Sequence, residues 1–153
     1  LQAAIGLLNL HHLQEERQKR AAVIAVYKQG LADIPGISFL NLDATITPSY
    51  QYFVIRIQKE LFGISRDEVH QLLKSYNVIT RKYFKPLCSE YACYRHLDSA
   101  KPEKLPIAYQ VEKEVLALPL YGHLSLDQVK RICQLIQSFQ DSPVGFSTEL
   151  CFT

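Results

Sequence analysis

Tyr50-Gln51-Tyr52-Phe53-Val54-Ile55-Arg56-Ile57, followed by Ser65-Arg66-Asp67-Glu68 and then by Val78-Ile79-Thr80-Arg81, is the stretch that decides the fold. The first eight residues are rich in aromatic and β-branched types and place apolar side chains on both alternating faces, so they read as a central strand. In the second segment Ser65 stands three residues before Glu68, the capping-box spacing in which the two side chains satisfy orphan backbone donors reciprocally. Val69, Leu72, Leu73 and Tyr76 then recur at helical spacing and form the buried face of the helix that starts there. Val78 to Arg81 returns as a strand, completing a strand, helix, strand unit.

Toward the N-terminus, Leu1 to about Leu31 contains no proline, and its glycines are Gly6 and Gly30. Leu1, Ile5 and Leu8, then Ala21, Ile24, Ala25 and Tyr27, recur at helical spacing on either side of the polar block Gln14 to Arg20, which predicts one long helix over 1–31. The run Ala3-Ala4-Ile5-Gly6-Leu7-Leu8 is small or apolar on every side. That end is therefore expected to be buried against other protein, with Gly6 permitting close backbone approach. Ala32-Asp33-Ile34-Pro35-Gly36 reads as a helix stop and turn, and Ile37 to Leu40 as a strand.

Toward the C-terminus, Lys82 to Leu105 is too long to be a casual connection. A helix begins near Pro106, buries Ala108, Val111 and Val115, and stops before Pro119. Another begins at Ser125 with Gln128 as its capping partner and stacks Val129, Ile132, Cys133, Ile136 and Phe139 along one face. The tail Val144 to Phe152 reads as an added strand. The whole is expected to be one α+β domain over 1–153: a long helix 1–31, a sheet and helix core 37–105, closing helices 106–139 and a tail 140–153.

With 153 residues, 48% apolar and 21% charged, the chain can bury a sizeable core without a disulfide or metal staple. Seventeen Lys plus Arg against fifteen Asp plus Glu leave a net charge of +2, and no long cationic run occurs, which argues against a nucleic-acid partner. Apolar stretches break within about ten residues, short of the ~20 that a bilayer span needs. The cysteines Cys88, Cys93, Cys133 and Cys151 match no zinc-ribbon or C-x-x-C spacing and read as reduced, buried thiols of a cytoplasmic protein. The chain lacks methionine and opens directly on an apolar helical pattern, so it reads as the remainder of a longer polypeptide.

Signatures of a self-contained enzyme are missing: there is no G-x-G-x-x-G, P-loop, H-E-x-x-H or G-x-S-x-G pattern. His11 and His12 are adjacent on a helix and point about 100° apart, poor geometry for a metal. His70 and His123 have no acid or nucleophile partner visible in the sequence. The segment that looks built for ligand contact is Thr80-Arg81-Lys82-Tyr83-Phe84-Lys85-Pro86-Leu87-Cys88, two aromatics among three cations. Such a loop can stack on a sugar or base and pair with phosphate; a surface hairpin with solvated cations and inward-packed aromatics has the same composition.

Three stretches together resemble the C-terminal part of the DegT/DnrJ/EryC1/StrS family of pyridoxal-phosphate (PLP)-dependent sugar aminotransferases. They are Leu1-Gln2-Ala3-Ala4-Ile5-Gly6-Leu7, Arg81-Lys82-Tyr83-Phe84-Lys85-Pro86-Leu87, and Leu105-Pro106-Ile107-Ala108 through Glu114-Val115-Leu116-Ala117-Leu118-Pro119-Leu120-Tyr121 with Leu124-Ser125 and Val129. The resemblance runs from residue 1 to about 139. It implies the small domain of a fold-type I aminotransferase, a long N-terminal helix and further helices packed on a small, mainly antiparallel sheet.

It also implies a homodimer that moves an amino group from an amino-acid donor such as glutamate to a keto-sugar nucleotide. The Schiff-base lysine and the PLP site would lie in a missing N-terminal domain of the same chain, because no lysine here has the family's Ser-x-x-Lys context. By the same resemblance this segment holds no catalytic residue and no metal, and it closes the substrate cleft through Arg81, Tyr83 and Phe84. Cys88 stands where the family often has His. The competing reading is a non-catalytic binding or regulatory protein on the same scaffold.

Overall fold

The computed structural model describes residues 1–43 and 45–141. The helix α1 runs over Gln2–Leu31, as its periodicity predicts, but its two halves differ. Residues 2–15 are exposed throughout, whereas Val23, Tyr27 and Leu31 are buried, spaced four residues apart on one stripe. The buried stripe thus contains Val23, which the sequence pattern passes over in favour of its half-buried neighbour Ile24. Gly36, at φ +80, makes the turn out of α1, and a side chain there would meet the Phe62 backbone nitrogen at 2.5 Å.

The strands are β1 (Ile37–Phe39), β2 (Phe53–Ile57), β3 (Arg81–Lys82) and β4 (Val115–Leu118). They form an antiparallel sheet in the order β1-β2-β4-β3. The helices are α2 (Lys59–Phe62), α3 (Arg66–Ser75), α4 (Pro106–Glu114) and α5 (Leu126–Asp141). The class is α+β, as expected.

Four elements differ from the sequence reading. The segment that reads as the end of the helix begun at Pro106 is the strand β4, all four of its residues buried. The physical reason is that β2 and β3 each present a backbone edge to this position, and a helix continued through Leu118 would leave both edges unpaired inside the protein. Within α4 itself Ala108 and Val111 are only half-buried, and Glu112 is its buried side chain. β2 and β3 are also shorter than their apolar runs. Extending their registers by the pairings Phe53 with Leu118 and Arg81 with Ala117 would bring Tyr52 and Ile79 opposite Pro119, which has no N–H to continue a ladder. Ile79 is accordingly exposed, and Tyr50 turns away at φ +52.

Because β2 and β3 are both antiparallel to β4, they run parallel to one another with β4 between them. The strand, helix, strand unit is therefore present but split. One face of the sheet, carrying Phe53, Ile55, Ile57, Leu116 and Leu118, packs against α1, α3 and α5 in a single core with Val69, Leu73, Val129, Ile132, Ile136 and Phe139. Tyr27 stacks on Phe53, and its hydroxyl donates to the Pro119 carbonyl at 3.1 Å. Gly30 lets α1 approach α5 closely, since an added Cβ would lie 2.8 Å from Cys133 Sγ. Both expected capping boxes form, Ser65 with Glu68 and Ser125 with Gln128. The predicted strand Val144 to Phe152 lies outside the described residues.

Candidate functional site

The loop singled out by its composition leaves the sheet at β3. Ser65 caps α3, which places Arg66 and Asp67 in its first turn facing the start of the loop. Two residues past the end of α3, Asn77 turns the chain with a φ of 58, the left-handed conformation that Asn tolerates better than most residues. Thr80 is then buried with its hydroxyl 2.7 Å from His70 Nδ1, a partner for that histidine that lies ten residues away and is not apparent from the sequence. Burial, reinforced by the charges of Lys82 and Arg66, holds the His70 imidazole below its ordinary value.

The three cations of the loop are used differently. Lys82 pairs with Asp67 at 2.7 Å, and its hydrogen bond is the main reason the Asp67 carboxyl sits below the usual range. Lys85 pairs with Glu112 of α4 at 3.1 Å. Arg81 lies opposite Ala117, hence on the sheet face of Val54 and away from the helix-packed core, and is exposed with no ion-pair partner among the described residues. Tyr83 and Phe84 stack on each other with ring centroids 4.2 Å apart, and Phe84 is 58% exposed. The Tyr83–Phe84 and Lys85–Pro86 peptide bonds are cis.

A third ring completes this group. Tyr52 lies 5.2 Å from Tyr83 and 6.2 Å from Phe84, centroid to centroid, in tilted and edge-on geometries of the kind aromatic pairs favour. The sequence reading places Tyr52 in a strand and so passes over it. Tyr52 is held by the connection before β2, which α1 straps down: Arg17 donates to the Pro48 carbonyl at 3.1 Å and Arg20 to the Tyr50 carbonyl at 3.4 Å. The arrangement is an exposed aromatic ridge beside an unpaired guanidinium. It can stack on a planar or ring-shaped ligand and offset anionic charge.

Neither main cleft includes Arg81, Tyr83 or Phe84. One, of about 470 Å³, opens between Asn77, Ile79, Tyr121, Leu124 and Arg131. The other, of about 420 Å³, lies between Lys59, Ser65, Arg66, Tyr109 and Lys113.

The buried-thiol expectation is corrected at two positions. Cys88 and Cys93 are exposed, because the 83–105 connection runs over the surface through short 3-10 turns; Cys133 is buried, and that burial pushes its thiol up to about 11. Cys151 lies outside the described residues. His11 and His12 are both exposed. Among the described residues no cluster of three or more His, Cys, Asp or Glu could hold a metal ion, and no helix is long and apolar enough to cross a membrane.

The lysines also bear on a PLP site. A lysine that forms a Schiff base works from a desolvated pocket, whereas every lysine of the chain is exposed or half-exposed, and Lys19, Lys82, Lys85, Lys101 and Lys130 are engaged with carboxylates. None of these lysines is placed to serve as the Schiff-base lysine of that cofactor.

Comparison with known proteins extends this picture. The model of the DegT/DnrJ/EryC1/StrS aminotransferase family matches residues 1–137. A dTDP-4-amino-4,6-dideoxy-D-glucose transaminase of Escherichia coli is 38% identical over 136 residues, which are 89% of this chain and 36% of that protein. Among solved structures, DesI in the presence of its TDP-sugar product superposes with a TM-score of 0.81 at 32% identity, over 90% of this chain and 34% of that one. DesV of S. venezuelae, in complex with a ketimine intermediate, gives 0.80 at 27% identity, over 92% and 36%. The chain spans about a third of the length of the relatives it matches.

Proposed function

The chain belongs to the DegT/DnrJ/EryC1/StrS aminotransferase family, and from that membership we propose that it is the C-terminal small domain of a sugar aminotransferase. In this reading the domain closes the substrate cleft of a longer protein over a nucleotide-sugar. PLP, bound by the rest of that protein, supplies the electron sink for moving an amino group from a donor such as glutamate. The residues of this chain supply orientation and charge complementarity. Tyr83 and Phe84, with Tyr52 behind them, offer ring faces to the sugar or base, and Arg81 offsets diphosphate charge.

The observation that carries the reading is the division of labour among the three loop cations. Lys82 and Lys85 are engaged with carboxylates of their own domain, while Arg81, two residues before the Tyr83-Phe84 stack, is exposed and has no ion-pair partner among the described residues. The first half of α1 supports it from the other end. Leu1, Ile5, Leu7, Leu8, Leu10 and Leu13 are all exposed, and among the described residues nothing beyond the backbone of α1 itself lies within 4 Å of where a Gly6 side chain would begin. An apolar surface of that extent needs cover, which the large domain of the same chain or a second subunit of a homodimer would provide. The reading places the protein in the cytoplasm with its substrates.

The test is an absorbance spectrum of the full-length protein after adding PLP and then glutamate. A visible band of bound cofactor that bleaches with glutamate is the expected result. A folded protein without that band would instead be a binding or regulatory protein on this scaffold.

A further inference from the structure

The stacked pair Tyr83-Phe84, of which Phe84 is exposed and Tyr83 half-buried, is bracketed in sequence by the two paired lysines, and both pairs converge on one buried guanidinium. Arg66 is 1% exposed. Its Nε donates to Asp67 Oδ1 at 2.8 Å and its Nη1 to the Val115 carbonyl of β4 at 2.7 Å, while Nη2 lies 3.7 Å from Glu112 Oε1. Asp67 in turn holds Lys82 on one side of Tyr83-Phe84, and Glu112, 7% exposed, holds Lys85 on the other. The charges alternate along the series Lys82, Asp67, Arg66, Glu112, Lys85. No other loop residue from 83 to 105 forms an ion pair with α3 or α4 among the described residues.

We propose that Arg66 and Glu112 are positioning residues for the substrate-contacting loop, fixing the Tyr83-Phe84 ridge through Lys82 and Lys85 before any ligand arrives. The physical case is the cost of the alternative. A buried guanidinium and a buried carboxylate are expensive to keep without partners, so the pair resists any loop movement that withdraws Lys85 from Glu112. A surface pair such as Lys101 with Asp98, both more than half exposed, exerts no such restraint because water replaces either partner at little cost. Ordering the loop in advance removes an entropy loss that ligand binding would otherwise bear. The ligand side of this inference rests on the cleft-closing role proposed above; the restraint on the loop does not.

The test uses the full-length protein as wild type, Lys85→Met, Lys85→Arg, Glu112→Gln and the control Lys101→Met. Two readouts are taken: amide hydrogen exchange of residues 83–90, and the Kd for dTDP as a probe of the nucleotide part. Lys85→Met is the informative variant because Lys85 is half exposed, so its loss withdraws the partner of Glu112 without opening a cavity in the core; a lowered melting temperature is expected, and a single cooperative unfolding transition verifies that the variant folds.

Exchange in 83–90 is expected to rise roughly tenfold in Lys85→Met and in Glu112→Gln, to return to within about threefold of wild type in Lys85→Arg, and to stay unchanged in Lys101→Met. The Kd for dTDP is expected to weaken in the loosened variants in proportion to the loss of the ordered fraction of the loop, reaching the full exchange factor only where the loop is open most of the time. Wild-type exchange in both Lys85→Met and Glu112→Gln overturns the proposal. Loosened exchange with dTDP binding equal in all variants confines Arg66 and Glu112 to holding the loop and overturns their part in ligand binding. If the wild-type protein does not bind dTDP at all, the nucleotide-sugar reading fails, and the exchange data still decide the restraint on the loop.

Discussion

The two sides of the sheet are built by different physics. On the α1, α3 and α5 side, Phe53, Ile55, Ile57, Leu116 and Leu118 are covered by apolar side chains, and nothing but close packing is needed to hold them. On the edge where β3 gives way to the loop, the rings are flanked in sequence by the ends of a series of alternating charges in which Arg66 and Glu112 are buried and Asp67 is half exposed. Packing makes the first region stable and insensitive to its chemical detail, so long as volume is kept. The second is held by few, directional contacts, and its exposed parts are left available. The difference teaches that anchoring and exposure are assigned to adjacent residues of one strand: Lys82 lies on the packed face and Arg81 on the other.

The comparison breaks most visibly when the same change is made on each side. Phe139→Ala, at a side chain 1% exposed, is expected to cost about 3–5 kcal/mol in denaturant unfolding. Phe84→Ala, at 58% exposure, is expected to change stability by less than about 0.5 kcal/mol, and to weaken dTDP binding by about 1 kcal/mol through lost stacking. Equal stability losses at the two positions would remove the distinction. Gly30→Ala tests the packed side from the opposite direction: its Cβ would lie 2.8 Å from the Cys133 sulfur, so overpacking is expected to cost about 1–3 kcal/mol. Cys133→Ala in the same chain should recover part of that loss.

Ser65→Ala lies between the two regions. It removes the cap of α3 and is expected to cost about 1 kcal/mol in unfolding. Because α3 presents Arg66 and Asp67, it should also loosen exchange at Lys82. The smallest effect belongs to His70. Its folded imidazole is held below 6.5, so the unfolded chain takes up a proton first. The contribution of His70 is full above that value and is lost as the pH falls through it toward the lower folded value. Urea midpoints from about pH 8 to about pH 5 should therefore decline less steeply in His70→Gln than in wild type. An identical slope would show that His70 titrates alike in both states.

Much of the fold was legible in the residues because its signals are local. The capping boxes at Ser65 and Ser125, the apolar stripe of α5, and the turn at Gly36 each depend on side chains within four residues of one another, and all appear in place. The candidate site was legible in part. Arg81, Tyr83 and Phe84 stand out by composition, but Tyr52 joins them from thirty residues upstream, and Arg17 and Arg20 hold it there from α1. No spacing rule connects those segments. The Cys88 and Cys93 thiols were misplaced because their exposure follows from the path of the whole 83–105 connection.

The sequence by itself determined α1, α3 and α5, the capping boxes of α3 and α5, and the apolar stripe of α5 on which the core is built, since helical hydrogen bonds and capping join near neighbours. Tertiary structure alone decided that Val115–Leu118 is a central strand. Its four apolar residues satisfy a helical and an extended pattern equally well, and what selects the strand is a pair of backbone edges, β2 and β3, that only the fold brings to either side of it. Tertiary structure likewise decided which loop cations are engaged and which is free. Asp67 and Glu112 are forty-five residues apart in the chain, and only their meeting at Arg66 turns Lys82 and Lys85 into anchors and leaves Arg81 to face outward.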